Sequence, residues 1–475
     1  MRSDIKDYET TLFEILATLN YNTERTEVLE GVLTKFLKHP KSMDIAAEAR
    51  MFKRKWSGGS TVSSSTADKN DFMKELLFSY QVIINRSVPV QHVLEYLYGK
   101  YAPFAKEFEN KYKIKWEALI TFSFFLKAYV GDKMNDHRVI QDVYQYETKE
   151  EYGDSGFVKI PDSTYIDTWR RAITIDKAGL YKGLAQYLTK DEIDYITDLL
   201  SYNANEALAS DKRNLFYKPL ARLGSDSFVI LIPDYLVKNL PVLYEKLLRE
   251  IPSYLDVKGK AFEDLCQRTL KLLPFKTLAF NRKYGRYEVD AILELSRTNL
   301  IIEIKSHPPS ERALDGELEA INRDLEKTVR DGINQANRCI ENLSSSSLAY
   351  FNGNGKRNQI IIIVDGLYPQ LNTSNVVRYF NEKVTPYVIN WFDLRTILEQ
   401  HDISLFEEFL DWRTINPMPV FCFQETDYWS FYADKYRNSN EVRATVAKMQ
   451  EMGHKLIYIS HRFNDKRYLS KIASN

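Results

Sequence analysis

From Leu12 to Val130 the apolar residues recur every three or four positions. Leu12, Phe13, Ile15, Leu16 and Leu19 make one stripe, Val28, Leu29, Val32, Leu33, Phe36 and Leu37 a second, and residues 72–84 and 88–130 continue the spacing. That period puts one side of each segment in a core and predicts helices. Residues 57–69, with Gly-Gly and several Ser and Thr, read as an exposed loop, and residues 150–164, with Gly153, Gly156 and Pro161, as an irregular join between helical parts. Residues 216–232 are β-like and end at Pro233, after which residues 235–250 return to a helical pattern.

Beyond residue 251 the period alternates between helix and strand. A helical stripe of Phe262, Leu265, Cys266, Thr269 and Leu273 marks residues 260–273, and strands are expected at 277–280, 287–295 and 300–306. A long polar helix follows over 313–343, with an apolar stripe of Leu325, Val329, Gly332, Ala336 and Ile340. Residues 359–364 carry an unbroken β-branched run, Ile360 to Val364, suited to a buried central strand. A strand at 386–391 and a helix at 392–400 complete this part; helices at 405–412 and 441–452, a strand at 455–460 and a basic tail make a small appendage. The reading is an α/β multidomain chain in four parts: a mainly helical region 1–150, a mixed, mainly helical subdomain 151–250, an α/β core with a central mixed sheet over 251–400, and a small α/β appendage over 401–475.

The charges in the α/β core change the picture. Glu288 and Asp290 share one face of the second strand, and Glu303 and Lys305 one face of the third, each pair about 7 Å apart along the chain. Only seven residues separate Leu293 from Ile301, so the two strands should form a hairpin that brings Asp290 beside Glu303. Acid-x-Lys triplets occur five times in this chain, and four lie in helical or loop-like polar surroundings where a solvated face explains them. The fifth is embedded in a β-rich run, with Leu300, Ile302 and Ile304 alternating with its charges. Paired carboxylates with a lysine at this spacing suit Mg²⁺ or Mn²⁺, a hard cation taking oxygen ligands, with the Ile304 carbonyl as a further donor. Such a centre hydrolyses phosphodiesters, and Lys305 could orient the attacking water, stabilise charge in the transition state or act as a base. Glu288 could be a ligand, a partner of Lys305 or a hairpin-end charge.

The stretch from about residue 259 to 400 resembles the restriction-endonuclease-like, or PD-(D/E)xK, nuclease superfamily, whose core runs helix, strand, strand, strand, helix, strand. Carried over residue by residue, the resemblance implies Asp290 as metal-binding acid, Glu303 as second acid, Lys305 as the lysine, Glu263 as the first-helix glutamate and Gln335 as a glutamine that some branches add. Position 289 is Val where the family's name puts Pro. The resemblance covers about a third of the chain and implies a restriction-endonuclease-like fold and a Mg²⁺-dependent endodeoxyribonuclease, with a role in prokaryotic defence against foreign DNA. Cleavage of RNA, or a non-catalytic scaffold that binds nucleic acid, are the alternatives.

A polyanionic substrate needs basic surface. No acid lies between Asp264 and Glu288, whereas Arg268, Lys271, Lys276, Arg282, Lys283 and Arg286 do, with Tyr284 as the candidate stacking ring. Any such attraction is local, because 65 basic and 65 acidic residues cancel. At 475 residues and 44% hydrophobic content the chain has room for two or three domains. Its most apolar stretch, 118–126, is too short to cross a bilayer, and its first residues lack the apolar core of a secretion signal, so a cytoplasmic protein with no membrane partner is expected. The three cysteines, Cys266, Cys339 and Cys422, are widely separated and suggest neither a disulfide nor zinc. His307 reads as part of the strand exit, and no histidine set looks catalytic. The activating signal, sequence specificity and oligomeric partner leave no signature.

Overall fold

The computed structural model describes residues 2–21, 88–135, 161–203, 217–233, 235–314, 317–345, 347–366, 385–399, 405–415 and 424–436, with a few single positions elsewhere. The expected loop 57–69, the helix 72–84, most of the stripe 28–37, Cys422, and the final helix, strand and basic tail lie outside them. The chain is mixed helix and sheet, and its described parts divide into two compact units: Phe104–Ile251 with the N-terminal helix, and Pro252 onward with the residues up to Pro103. Residues 88–103 therefore pack with the α/β core, although their sequence continues the helical pattern of the first region. Among the described residues no helix is long and apolar enough to cross a membrane.

The first unit contains the helices Arg2–Tyr21, Ala105–Tyr112, Ala118–Asn135, Ser163–Ile173, Lys177–Leu184, Lys190–Leu200 and Leu240–Leu248. Two starts show local coding: Asp162 Oδ1 accepts from the N–H groups of Thr164 and Tyr165 at 3.0 and 2.9 Å, and Thr189 with Glu192 forms a capping box. The unit also holds a small sheet that the sequence pattern only half reveals. Its strands β1 (Thr174–Asp176), β2 (Ser201–Asn203), β3 (Leu220–Leu223) and β4 (Ser227–Ile230) lie in the order β1-β4-β3-β2. The β-like run 216–232 supplies β3 and β4 as an antiparallel pair; β1 and β2 are three residues each, too short to establish an alternation.

In the second unit, β5 (Thr277–Tyr284), β6 (Tyr287–Glu294), β7 (Thr298–Lys305), β8 (Arg357–Val364) and β9 (Tyr387–Asn390) form one sheet in sequence order. The first three strands are antiparallel neighbours and the last three parallel ones, so this sheet is mixed. Helix Pro252–Leu270 begins eight residues before the expected start, at a proline whose fixed φ suits a first turn. β5 runs four residues past its expected end. The crossover from β7 to β8 carries Leu318–Leu325, a π-helical turn Glu326–Arg330 and Asp331–Asn342, nearly continuous as expected for the long polar helix. Asp331–Asn342 packs on β7 through Gly332, Ile333, Ala336 and Cys339, and Ile360–Val364 is buried with strands on both sides.

Helices Trp391–Glu399, Phe406–Ile415 and Glu425–Tyr436 close over the β9 side of the sheet around a buried ionic cluster. Arg413 donates to both oxygens of Glu425, at 2.9 and 3.1 Å, and the Tyr387 hydroxyl donates to the same carboxylate at 3.0 Å. Burial first, and the Glu425 charge next, push Asp393 up to about 8. A carboxyl raised in the folded state contributes stability below its ordinary value near 3.8, and that contribution is lost as pH rises through about 8. Asp393→Asn can still accept the hydrogen bond from Asn390 and should show a smaller fall in melting temperature between pH 6 and 9 than the unsubstituted protein. An identical fall in both proteins would show that Asp393 ionises normally.

Candidate functional site

The antiparallel register of β6 and β7 runs from Glu294↔Asn299 to Ala291↔Ile302, so the next facing positions are Asp290 and Glu303. There the ladder gives way to side-chain bonding: the Ile304 N–H donates to Asp290 Oδ2 at 2.7 Å. Glu303 is 1% exposed; its Oε2 accepts from Lys305 Nζ at 3.3 Å, and its Oε1 is buried with no hydrogen-bond partner. Lys305 Nζ also donates to the side-chain carbonyl of Gln335 on helix Asp331–Asn342. Glu303 and Gln335, 32 positions apart in sequence, thus meet around one ammonium group.

Ionising both acids of this corner would leave more negative charge than its one cation balances, so each disfavours the charged form of the other. Burial pushes Asp290 up, against the Ile304 N–H and the Lys305 charge, while Glu263 and Glu288 push it further the same way. Glu303 is pushed up to about 8, by burial first and by the charge of Asp290 next. Two shielded acids, one with an oxygen that receives no hydrogen bond, make an oxygen-rich corner whose charged forms an added cation would stabilise.

Comparison with known protein families, with curated proteins and with solved structures finds no match to this chain.

The remaining expected residues are placed differently. Glu263 sits on helix Pro252–Leu270 with its Oε1 accepting from Lys260 at 3.1 Å, from Gln267 at 2.7 Å and from Asn281. It acts on Asp290 through charge, and among the described residues no three His, Cys, Asp or Glu side chains stand together as a ligand group. The corner therefore offers Asp290, Glu303 and the Ile304 backbone, with Glu263 near enough to act on Asp290 through its charge. This set fits Mg²⁺ or Mn²⁺, hard ions that keep several waters and need only one or two carboxylates. Glu288 is exposed and faces Lys283 across the β5–β6 pair.

The six basic residues are spread over the end of helix Pro252–Leu270 and along the hairpin. Arg282, Lys283 and Arg286 are exposed near the β5–β6 turn, whereas Lys276 lies at the other end, where its N–H donates to the Glu294 carbonyl at 2.7 Å. Arg268 Nη2 reaches the Gly99 carbonyl at 3.5 Å, and Lys271 lies over Phe280. Tyr284 is no stacking ring: it is 2% exposed, and its hydroxyl donates to the Gln335 backbone carbonyl at 3.2 Å. The apolar half of a β-hairpin tyrosine buries against the helix, which removes it from solvent. His307 Nε2 lies 3.2 Å from Asp324 Oδ1, and Ser310 donates to Asp324 through both N–H and hydroxyl, so His307 belongs to the loop that leaves β7.

Sequence reading missed three supports of this corner. Asn281 adopts φ of 50°, a conformation that asparagine tolerates better than most residues, and links Glu263 to Gln267 opposite Asp290. Its signal was a polar residue directly after the apolar run Leu278-Ala279-Phe280. Gly332 makes room for the lysine: a Cβ there would lie 2.9 Å from Ile362 Cδ1 and 3.2 Å from Lys305 Cε. Asp365, one residue past β8, accepts from the Ser306 hydroxyl at 2.8 Å and donates its N–H to the Lys305 carbonyl at 3.0 Å, tying down the end of β7.

Proposed function

We propose that the second unit is a metal-dependent nuclease that hydrolyses phosphodiester bonds, with DNA as its substrate. The observation that carries this reading is the convergence of Asp290, Glu303, Lys305 and Gln335 from two strands and a crossover helix, around a buried Glu303 oxygen with no partner. The order of elements from Pro252 to Val364, helix, three antiparallel strands, crossover helix and parallel strand, is consistent with the restriction-endonuclease-like resemblance. The preference for DNA rests on that resemblance.

Bound Mg²⁺ or Mn²⁺ would acidify an attacking water and neutralise charge building on the phosphoryl oxygens. Asp290 and Glu303 would hold the cation, the first already oriented by the Ile304 N–H. Lys305 has three donors; Glu303 and Gln335 take two, and the third is left to hydrogen-bond a phosphate oxygen or position the water. Gln335 fixes the ammonium so that it need not reorganise during reaction.

Purified full-length protein should cut supercoiled plasmid or linear DNA with Mg²⁺ or Mn²⁺ and not with chelator, and should prefer DNA to single-stranded RNA. Calorimetry should show Mn²⁺ binding that disappears in Asp290→Ala. No metal-dependent cutting of any substrate, together with no Mn²⁺ binding, would sink the reading; cutting of RNA alone would keep the chemistry and change the substrate. Gly332→Ala should cost about 1–3 kcal/mol by overpacking and lower the cutting rate by displacing Lys305. Unchanged melting and rate would mean that the helix shifts freely.

A further inference from the structure

We infer that Arg286 and Arg338, both held against the ring of Tyr287, form a contact surface for the phosphate backbone of a nucleic acid. The inference rests on the nuclease reading and gives its substrate a docking place. Arg338 lies outside the basic run of β5, on helix Asp331–Asn342, yet its guanidinium carbon sits 5.2 Å from the Tyr287 ring centre. Arg286 lies 5.0 Å from the same ring and donates to the Tyr287 hydroxyl at 2.7 Å. The β5–β6 turn and the helix thus place two guanidinium groups on one half-buried ring.

Three features point to phosphate. First, Arg286 and Arg338 are exposed, and among the described residues neither is paired with a carboxylate, although Glu341 is one helical turn from Arg338. Other exposed or half-exposed cations of this unit, such as Lys260, Arg297, Arg312, Arg330 and Arg357, do have carboxylate partners. Second, a guanidinium lying on a ring loses rotational freedom and keeps in-plane N–H groups for bidentate bonding to phosphate oxygens. Third, the hairpin is fixed to the proposed centre: Tyr284, cross-strand partner of Tyr287, donates to the backbone of Gln335, whose side chain holds Lys305. A polyanion on this surface is held at a set position relative to Asp290 and Glu303. An acidic peptide offers no such evenly spaced phosphates.

The test is binding of the full-length protein to labelled duplex DNA, single-stranded DNA and single-stranded RNA in chelator, between 50 and 200 mM salt. The unsubstituted protein is compared with Arg286→Ala/Arg338→Ala, and Glu303→Ala serves as the metal-site control. The double variant should bind at least about tenfold more weakly and lose about two charges' worth of salt slope, roughly 0.9 per phosphate on duplex, with its Mn²⁺ binding unchanged. Glu303→Ala should keep nucleic-acid binding. Affinity and slope unchanged in the double variant would overturn the inference, as would no nucleic-acid binding by the unsubstituted protein or equal competition by polyglutamate. Binding lost in the double variant while no protein cuts would support the surface and sink the nuclease reading; cutting with unaltered binding would do the reverse.

Discussion

Glu303→Gln should lower Mn²⁺ affinity by at least about 100-fold, beyond what losing a group that merely orients a ligand costs, and should abolish metal-dependent cutting, whereas Lys305→Met should separate the two. Glutamine keeps the shape of Glu303 and removes its charge, and the buried Oε1 has no hydrogen bond to lose, so folding should be retained. Lys305→Met removes the cation that now lies 3.3 Å from Glu303. With that competitor gone, the acids should bind Mn²⁺ at least as well as before. Turnover should nevertheless fall about 10²–10³-fold, the usual effect of deleting one fixed electrostatic stabiliser. The measurements are Mn²⁺ calorimetry and single-turnover cutting, with circular dichroism to confirm the fold. A Lys305→Met protein that binds Mn²⁺ and cuts at the original rate would remove the lysine from the chemistry. If Glu303→Gln kept Mn²⁺ binding, the cation would have to sit elsewhere.

Lys100→Met should destabilise the second unit by about 3–5 kcal/mol and lower its melting temperature by roughly 6–20 °C. Lys100 lies in the π-helical turn Leu97–Tyr101 that continues helix Val90–Tyr96, and its ammonium contacts Asp365 Oδ2 at 2.7 Å with both side chains fully buried. The Tyr96 hydroxyl donates to the other Asp365 oxygen, and Lys100 also faces the rings of Tyr96, Tyr101 and Phe262. Methionine fills much of the same volume but leaves Asp365 buried without its counter-charge, which accounts for the large cost. Lys100→Met/Asp365→Asn removes both charges and should recover most of the loss. Because Asp365 is bonded to the Lys305 backbone, the single variant should also weaken Mn²⁺ binding. Chemical denaturation measures the loss; a single variant as stable as the unsubstituted protein would show that the pair contributes nothing. A chain starting at Pro252 would strand Asp365 in the same way.

Asp290, Glu303 and Lys305 were legible because their information is local. The two-residue period of β6 and β7 and the short turn between them bring these groups together before any other element is placed. Short β-type runs also marked the strands β5 and β8, and a three-to-four-residue stripe the long crossover helix, with boundaries shifted by a few residues. Gln335 was reached through resemblance alone, since one polar residue beside an apolar helix stripe carries no sign of what it faces. Glu263 was likewise reached through resemblance: it acts on Asp290 through charge, while Asn281, Gln267 and Lys260 all bond to one oxygen of its carboxylate.

The sequence by itself determined which segments alternate at two residues and which recur at three or four, and hence the acids and lysine on one hairpin. Only the tertiary structure decided what meets them. Lys100 and Asp365 are 265 residues apart, and no local pattern links an N-terminal helix to the end of β8. Arg338 joins Arg286 on Tyr287 through the packing of a crossover helix on a hairpin. Three-residue strands in the first unit exist through partners contributed by distant segments. Periodicity records which face of a segment avoids water, a one-body property; ion pairs and parallel strand partners depend on two segments at once, and the chain between them carries no trace of the choice.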